Sequence, residues 1–139
     1  MLAQQDPTSW TGPVVIMVLV GAMVILAGIT IILIAERAAE GRLGPNRVAG
    51  IRTRATRSSD EAWVAAHRAG HKHTTWGGSA LTLTAPVAGL VAFLFGGRDP
   101  GQTVAIWGVA ILVGSMVSVA LIVYGAWQGQ QAAKAIPDS

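Results

Sequence analysis

Three long apolar runs, separated by one polar stretch and one tight turn, organise the chain. Val14 to Ala35 carries no charge, and Thr30 is its one side-chain hydroxyl. Its 22 residues, at about 1.5 Å each, span about 33 Å, which matches a hydrocarbon core of about 30 Å. β-Branched residues are poor helix formers in water, but unpaired backbone amides are so costly in lipid that such a run must be helical. Gly77 to Phe95 is a second run, diluted by Ser79, Thr82, Thr84 and Pro86. Pro86 lacks an amide donor and should kink the helix, with Thr82 placed four residues earlier to relieve the freed carbonyl. Gly96-Gly97-Arg98-Asp99-Pro100-Gly101 is a dense set of breakers, and Thr103 to Tyr124 follows as a third uncharged run. The pattern predicts an all-α integral membrane protein of one domain, 1–139. Its spans are at about 14–35, 77–95 and 103–124, the last two forming an antiparallel hairpin.

The 36–75 segment does not read as a disordered linker. Leu43-Gly44-Pro45-Asn46 is turn chemistry, and Gly50-Ile51-Arg52-Thr53-Arg54-Ala55-Thr56-Arg57 sets short residues between arginines. Ser58-x-x-Glu61 is a capping-box pattern, and Asp60 and Glu61 suit a helix N-terminus. These signals predict a short amphipathic helix from about Ser59 to about His73, with Gly70 its weak point. Trp63, Ala66, His67 and Gly70 share one face at i, i+3, i+4, i+7, while Glu61, Arg68 and Lys72 point elsewhere. Either Trp63 sits among lipid headgroups, as in an interfacial helix, or it packs onto the GIRTRAT segment. Both readings tie a structured loop to the membrane surface.

Composition agrees with lipid as the main solvent. The chain is 52% hydrophobic and 12% charged, against about 25% charged in soluble domains. Eight of its ten Lys/Arg residues lie between the first two runs. Positive-inside logic therefore puts the 36–75 loop and the tail from Gln128 in the cytoplasm, and the N-terminus and the 96–102 turn outside. Residues 1–13 carry no Lys or Arg and the first run is long, so it reads as a retained span rather than a cleaved signal. Trp10, Trp76, Trp107 and Trp127 fall where an aromatic belt would place them.

Candidate chemistry is sparse. There is no cysteine, which removes thiolate metal sites, Cys nucleophiles and disulfides. The spans hold no Asp, Glu, Lys, Arg or His, which speaks against ion-coupled transport by this chain alone. Intramembrane proteolysis would need a buried Ser/His or Asp pair, and headgroup chemistry would need clustered acids for metal ions. Glu36, Glu40, Asp60 and Glu61 are scattered, so no enzyme and no cofactor is expected. His67 and His71 stand at i, i+4 with His73 close by, but no further ligand lies at a recognisable spacing. They read as solvated or headgroup-facing, with no metal site.

Two features point to binding. Ala110, Gly114 and Ser118 form a small-xxx-small stripe that permits close helix packing, within the chain or with a partner. Gly21 and Gly28 offer a weaker version in the first run. The loop arginines act as topology determinants that attract anionic lipid headgroups, or else Arg47, Arg52, Arg54 and Arg57 form a pocket for a phosphate or a partner's carboxylates. Interleaved aromatics are missing, so nucleic acid is not an expected partner.

The loop string also resembles a known family. Gly44-Pro45-Asn46-Arg47-Val48-Ala49-Gly50-Ile51-Arg52-Thr53, then Thr56, Asp60–Glu61, Trp63 and His67-Arg68-Ala69-Gly70, is similar to the SdpI family signature. That signature runs roughly N-x-x-x-G-I-R-T-P-x-T, then an acid and W, then H-R and G. The likeness covers about residues 33–95, and Arg54 stands where the family usually has Pro. The family is named for a Bacillus membrane protein that confers immunity to a secreted toxic peptide and takes part in signalling its presence. The resemblance implies a non-enzymatic protein of the bacterial inner membrane with a toxin-immunity or stress-signalling role. It implies Asn46, Gly50, Arg52, Thr53, Thr56, Trp63, His67 and Gly70 as the surface for a protein partner, a second copy or lipid headgroups. The alternative is an accessory subunit of a larger membrane enzyme or transporter, held by the Ala110–Gly114–Ser118 stripe.

Overall fold

The computed structural model describes residues 10–46 and 48–136. Three long helices make up most of it: α1 (Thr11–Ala39), α2 (Asp60–Phe95) and α3 (Pro100–Lys134), with one 3-10 turn at Ala55–Arg57 between α1 and α2. All three are long and apolar enough to cross a membrane, and no strand occurs among the described residues. Their outward faces are lined by large exposed apolar side chains such as Leu19, Met23, Phe93, Leu112 and Met116. That arrangement suits a hydrocarbon solvent and would be a liability in water. α2 lies between α1 and α3, which barely touch one another.

The helices outrun the predicted spans. The short loop helix and the second span are one continuous helix of 36 residues, about 54 Å long at about 1.5 Å per residue. Its first half, with Asp60, Glu61, Arg68 and Lys72, therefore projects past a hydrocarbon core of about 30 Å. Polarity changes at Trp76 because the surroundings change, and nothing between His73 and Gly77 breaks a helix. Gly70 is no weak point. A Cβ there would come 2.5 Å from the Gly125 carbonyl oxygen, so the missing side chain lets α2 and α3 touch. Pro86 is likewise accommodated within α2. Thr82 donates its hydroxyl to the Gly78 carbonyl at 2.9 Å, so it does not satisfy its own freed carbonyl as expected.

Local chemistry sets the helix ends. The N-cap of α2 is Ser59, whose Oγ accepts from the Ala62 amide at 3.1 Å, one residue later than the capping-box pattern proposed. α1 closes with Gly41 at φ +74. The Gly41 amide bonds the Ala38 carbonyl and the Arg42 amide bonds the Arg37 carbonyl, a Schellman end. In the hairpin, Asp99 caps α3 by accepting from the Gln102 amide at 2.8 Å, with Pro100 just inside.

Small residues pack the bundle. Ala110 touches the cluster formed by Ala88, Ala92 and Trp107. A Cβ on Gly114 would meet the Thr84 side chain, and Ser118 donates to the Gly77 carbonyl at 2.8 Å. The stripe thus faces α2 of the same chain. It continues beyond the predicted span through Gly125, Gly129 and Ala133, which pack on Gly70, Ala66 and Ala62. Gly28 seats α1 against Gly78 and Thr82 in the same way. Trp107 is buried against Ala88 and Ala92, with Met17 and Ile111 alongside, and so belongs to the core rather than to an aromatic belt. Trp76 and Trp127 are about half exposed, as belt residues would be.

Candidate functional site

The loop folds back onto the projecting half of α2. Asn46 starts the return: its Oδ1 accepts from the Val48 and Ala49 amides at 2.8 Å each, and its Nδ2 donates to the Gly44 carbonyl at 2.9 Å. This side-chain bracket does the work of a turn. Gly50 follows at φ +92, which a side chain would strain, and a Cβ there would stand 2.5 Å from His67 Nε2. Thr53 and Thr56 then close the 3-10 turn. The Thr53 amide donates to Thr56 Oγ1 at 2.9 Å, the Thr56 amide donates to Thr53 Oγ1 at 3.2 Å, and Thr56 Oγ1 donates to the Ile51 carbonyl at 2.7 Å. Thr56 is fully buried, so these bonds satisfy a hydroxyl that would otherwise be costly.

Trp63 and His67 clamp the loop from below. Trp63 is fully buried, and its Nε1–H donates to the Leu43 carbonyl at 2.6 Å. Its ring lies 4.2 Å from that of His67. Trp63 therefore packs on the loop, and the lipid-headgroup reading is set aside. His67 is buried rather than solvated. Its Nε2 accepts from the Ile51 amide at 2.8 Å, and its Nδ1 lies 2.8 Å from the Trp63 carbonyl. A carbonyl can only accept and an amide can only donate, so both bonds require the neutral ring with its proton on Nδ1. Burial lowers the His67 pKa from its usual 6.5, outweighing the opposing bond to Trp63.

With both ring nitrogens engaged, His67 has no lone pair for a metal. His73 meets Trp76 and Tyr124 edge-on instead of joining it. Among the described residues, no group of three or more His, Asp or Glu comes together.

A division of labour emerges among the eight residues singled out from the sequence. Asn46, Gly50, Thr53, Thr56, Trp63, His67 and Gly70 build the loop and dock it on α2. Arg52 is exposed and, with exposed Arg54 and Arg57, forms the edge of what they build. Arg47, the fourth arginine of the expected pocket, lies outside the described residues. Sequence reading missed Ile51, whose amide and side chain join the loop to both long helices, and Arg68, whose Nε donates to the Ala39 carbonyl at 3.0 Å and ties α2 to the end of α1. Ile51 stood inside the motif as a large apolar residue between Gly50 and Arg52, which was a usable signal.

A model of the SdpI/YfhL protein family matches residues 42–125, more than half of the chain. The chain belongs to the SdpI/YfhL family. No curated protein and no solved structure matches it. The SdpI/YfhL match begins after α1, takes in the whole folded loop, and runs through α2 into α3. It extends past the 33–95 likeness at the C-terminal end and begins later at the N-terminal end. Three apolar helices together with SdpI/YfhL membership make this a multi-pass membrane protein.

Proposed function

We propose that this protein is a non-enzymatic component of the bacterial inner membrane that acts through its folded loop in toxin immunity or stress signalling. In this reading the N-terminus is outside, and the loop and C-terminus are cytoplasmic. The carrying observation is that seven motif residues are spent on holding one short segment rigid, and that this segment displays Arg52, Arg54 and Arg57. A preorganised arginine edge suits the carboxylates or phosphates of a partner, because less side-chain and loop entropy is lost on binding. Membership of the SdpI/YfhL family supports immunity as the concrete form. The accessory-subunit alternative loses the feature that suggested it, since the Ala110–Gly114–Ser118 stripe is occupied by α2.

Alanine variants at Arg52, Trp63 and His67, expressed at normal level, test the proposal through sensitivity to peptide toxins and partner pull-down. Arg52→Ala is expected to lose function with the fold intact, and Trp63→Ala and His67→Ala to lose it by releasing the loop. Unchanged sensitivity and unchanged pull-down in all three would remove the idea.

A further inference from the structure

Because α2 holds α1 and α3 apart, a slot remains between them at the loop end of the bundle. It is a partly open cavity of about 210 Å³ with an overwhelmingly apolar lining, walled by Ile31 and Ala35 of α1 and by Ile122 and Ala126 of α3. His71 and Thr74 form its floor on α2, and Gly50 and Ile51 of the loop roof it. A second, more polar groove of about 560 Å³ adjoins the slot. It is lined by Gly50, Ile51, Arg52, Thr53, Arg57 and Ala126, and so shares Gly50, Ile51 and Ala126 with the slot.

An apolar slot that shares three lining residues with a two-arginine groove has the polarity of one amphiphile. We propose that it holds an anionic phospholipid of the adjoining leaflet, with one acyl chain between α1 and α3 and the phosphate against Arg52 and Arg57. The slot is smaller than the roughly 300–1,000 Å³ of sites that enclose a whole drug-sized ligand, so it takes part of a chain whose remainder stays in the bilayer. Charge complementarity selects the headgroup: Arg52 and Arg57 line the groove, and among the described residues no Asp or Glu does. The site uses the same loop as the proposed function and deepens that reading by naming a ligand class for its arginine edge.

The test reconstitutes the full chain in phosphatidylcholine bilayers containing a minority of phosphatidylglycerol. A diazirine is carried on the acyl chain of one lipid or the other, and labelled peptides are mapped by mass spectrometry. Phosphatidylglycerol is expected to label the 31–35 and 122–126 segments roughly tenfold more than phosphatidylcholine does. Arg52→Gln and Arg57→Gln should each cut that preference several-fold. Arg42→Gln should leave it in place, because Arg42, also exposed on the loop, does not line the groove. These are exposed positions, so the variants keep the fold, which unchanged thermal unfolding would verify.

Equal labelling by both lipids overturns the proposal. So does an equal effect of all three substitutions, which would mean a diffuse basic surface, and so does displacement of the label by an added amphipathic peptide but not by excess phosphatidylglycerol. Labelling is read without any toxin, so loss of the immunity reading and loss of the lipid site are separate results.

Discussion

At the scale of single residues, the molecule turns on one imidazole. His67 links two parts of the chain 16 residues apart by accepting the Ile51 amide, and it can do so only while neutral. Burial keeps its folded pKa below 6.5. The unfolded loop therefore takes up the proton first, so the contribution of the lock is complete above about pH 6.5 and is lost as pH falls below it. Hydrogen-exchange protection of the Ile51 amide, corrected for intrinsic rate, should fall with pH through that window, and His67→Gln should abolish the dependence. Arg54 offers a second check. Its φ of −59 fits a proline, so Arg54→Pro should be neutral or raise stability by up to about 1 kcal/mol in thermal unfolding. None of the pairings through Ile51 or Leu43 was legible in the sequence, because no local pattern reports a contact 16 or 20 residues away. What could be read was that Trp63, His67 and Gly70 share a face. That the face meets protein rather than lipid depended on the loop folding back.

At the scale of elements, the small-residue seam of α3 decides the packing. Ala110, Gly114 and Ser118 were visible as a stripe, and their occupant, α2, was one of two open choices. Gly125, Gly129 and Ala133 extend the same seam but fall beyond Tyr124, where falling hydropathy suggested that the span had ended. Hydropathy changes in the same way at Trp76 within α2: hydropathy marks where lipid stops, while a helix stops only where caps and breakers end it. Gly125→Leu should therefore destabilise the bundle by about 1–3 kcal/mol in denaturant titrations in detergent, because it overpacks a backbone contact. Val113→Leu, on the exposed face of the same helix, should change stability little.

For the whole molecule, two environments shape one three-helix chain. Its spans expose apolar side chains to lipid, while the prolonged ends of α2 and α3 carry a folded loop with an arginine edge beyond the membrane. Number of spans, hairpin and family were all legible, because long uncharged runs and a compact motif are local signals. The account depends most on that edge lying in the cytosol, where a partner can reach it. The chain has no native cysteine, so Arg54→Cys gives one unique thiol for a membrane-impermeant maleimide. Labelling in inside-out vesicles and none in intact cells is the predicted result, and labelling of intact cells from the outside would contradict the account.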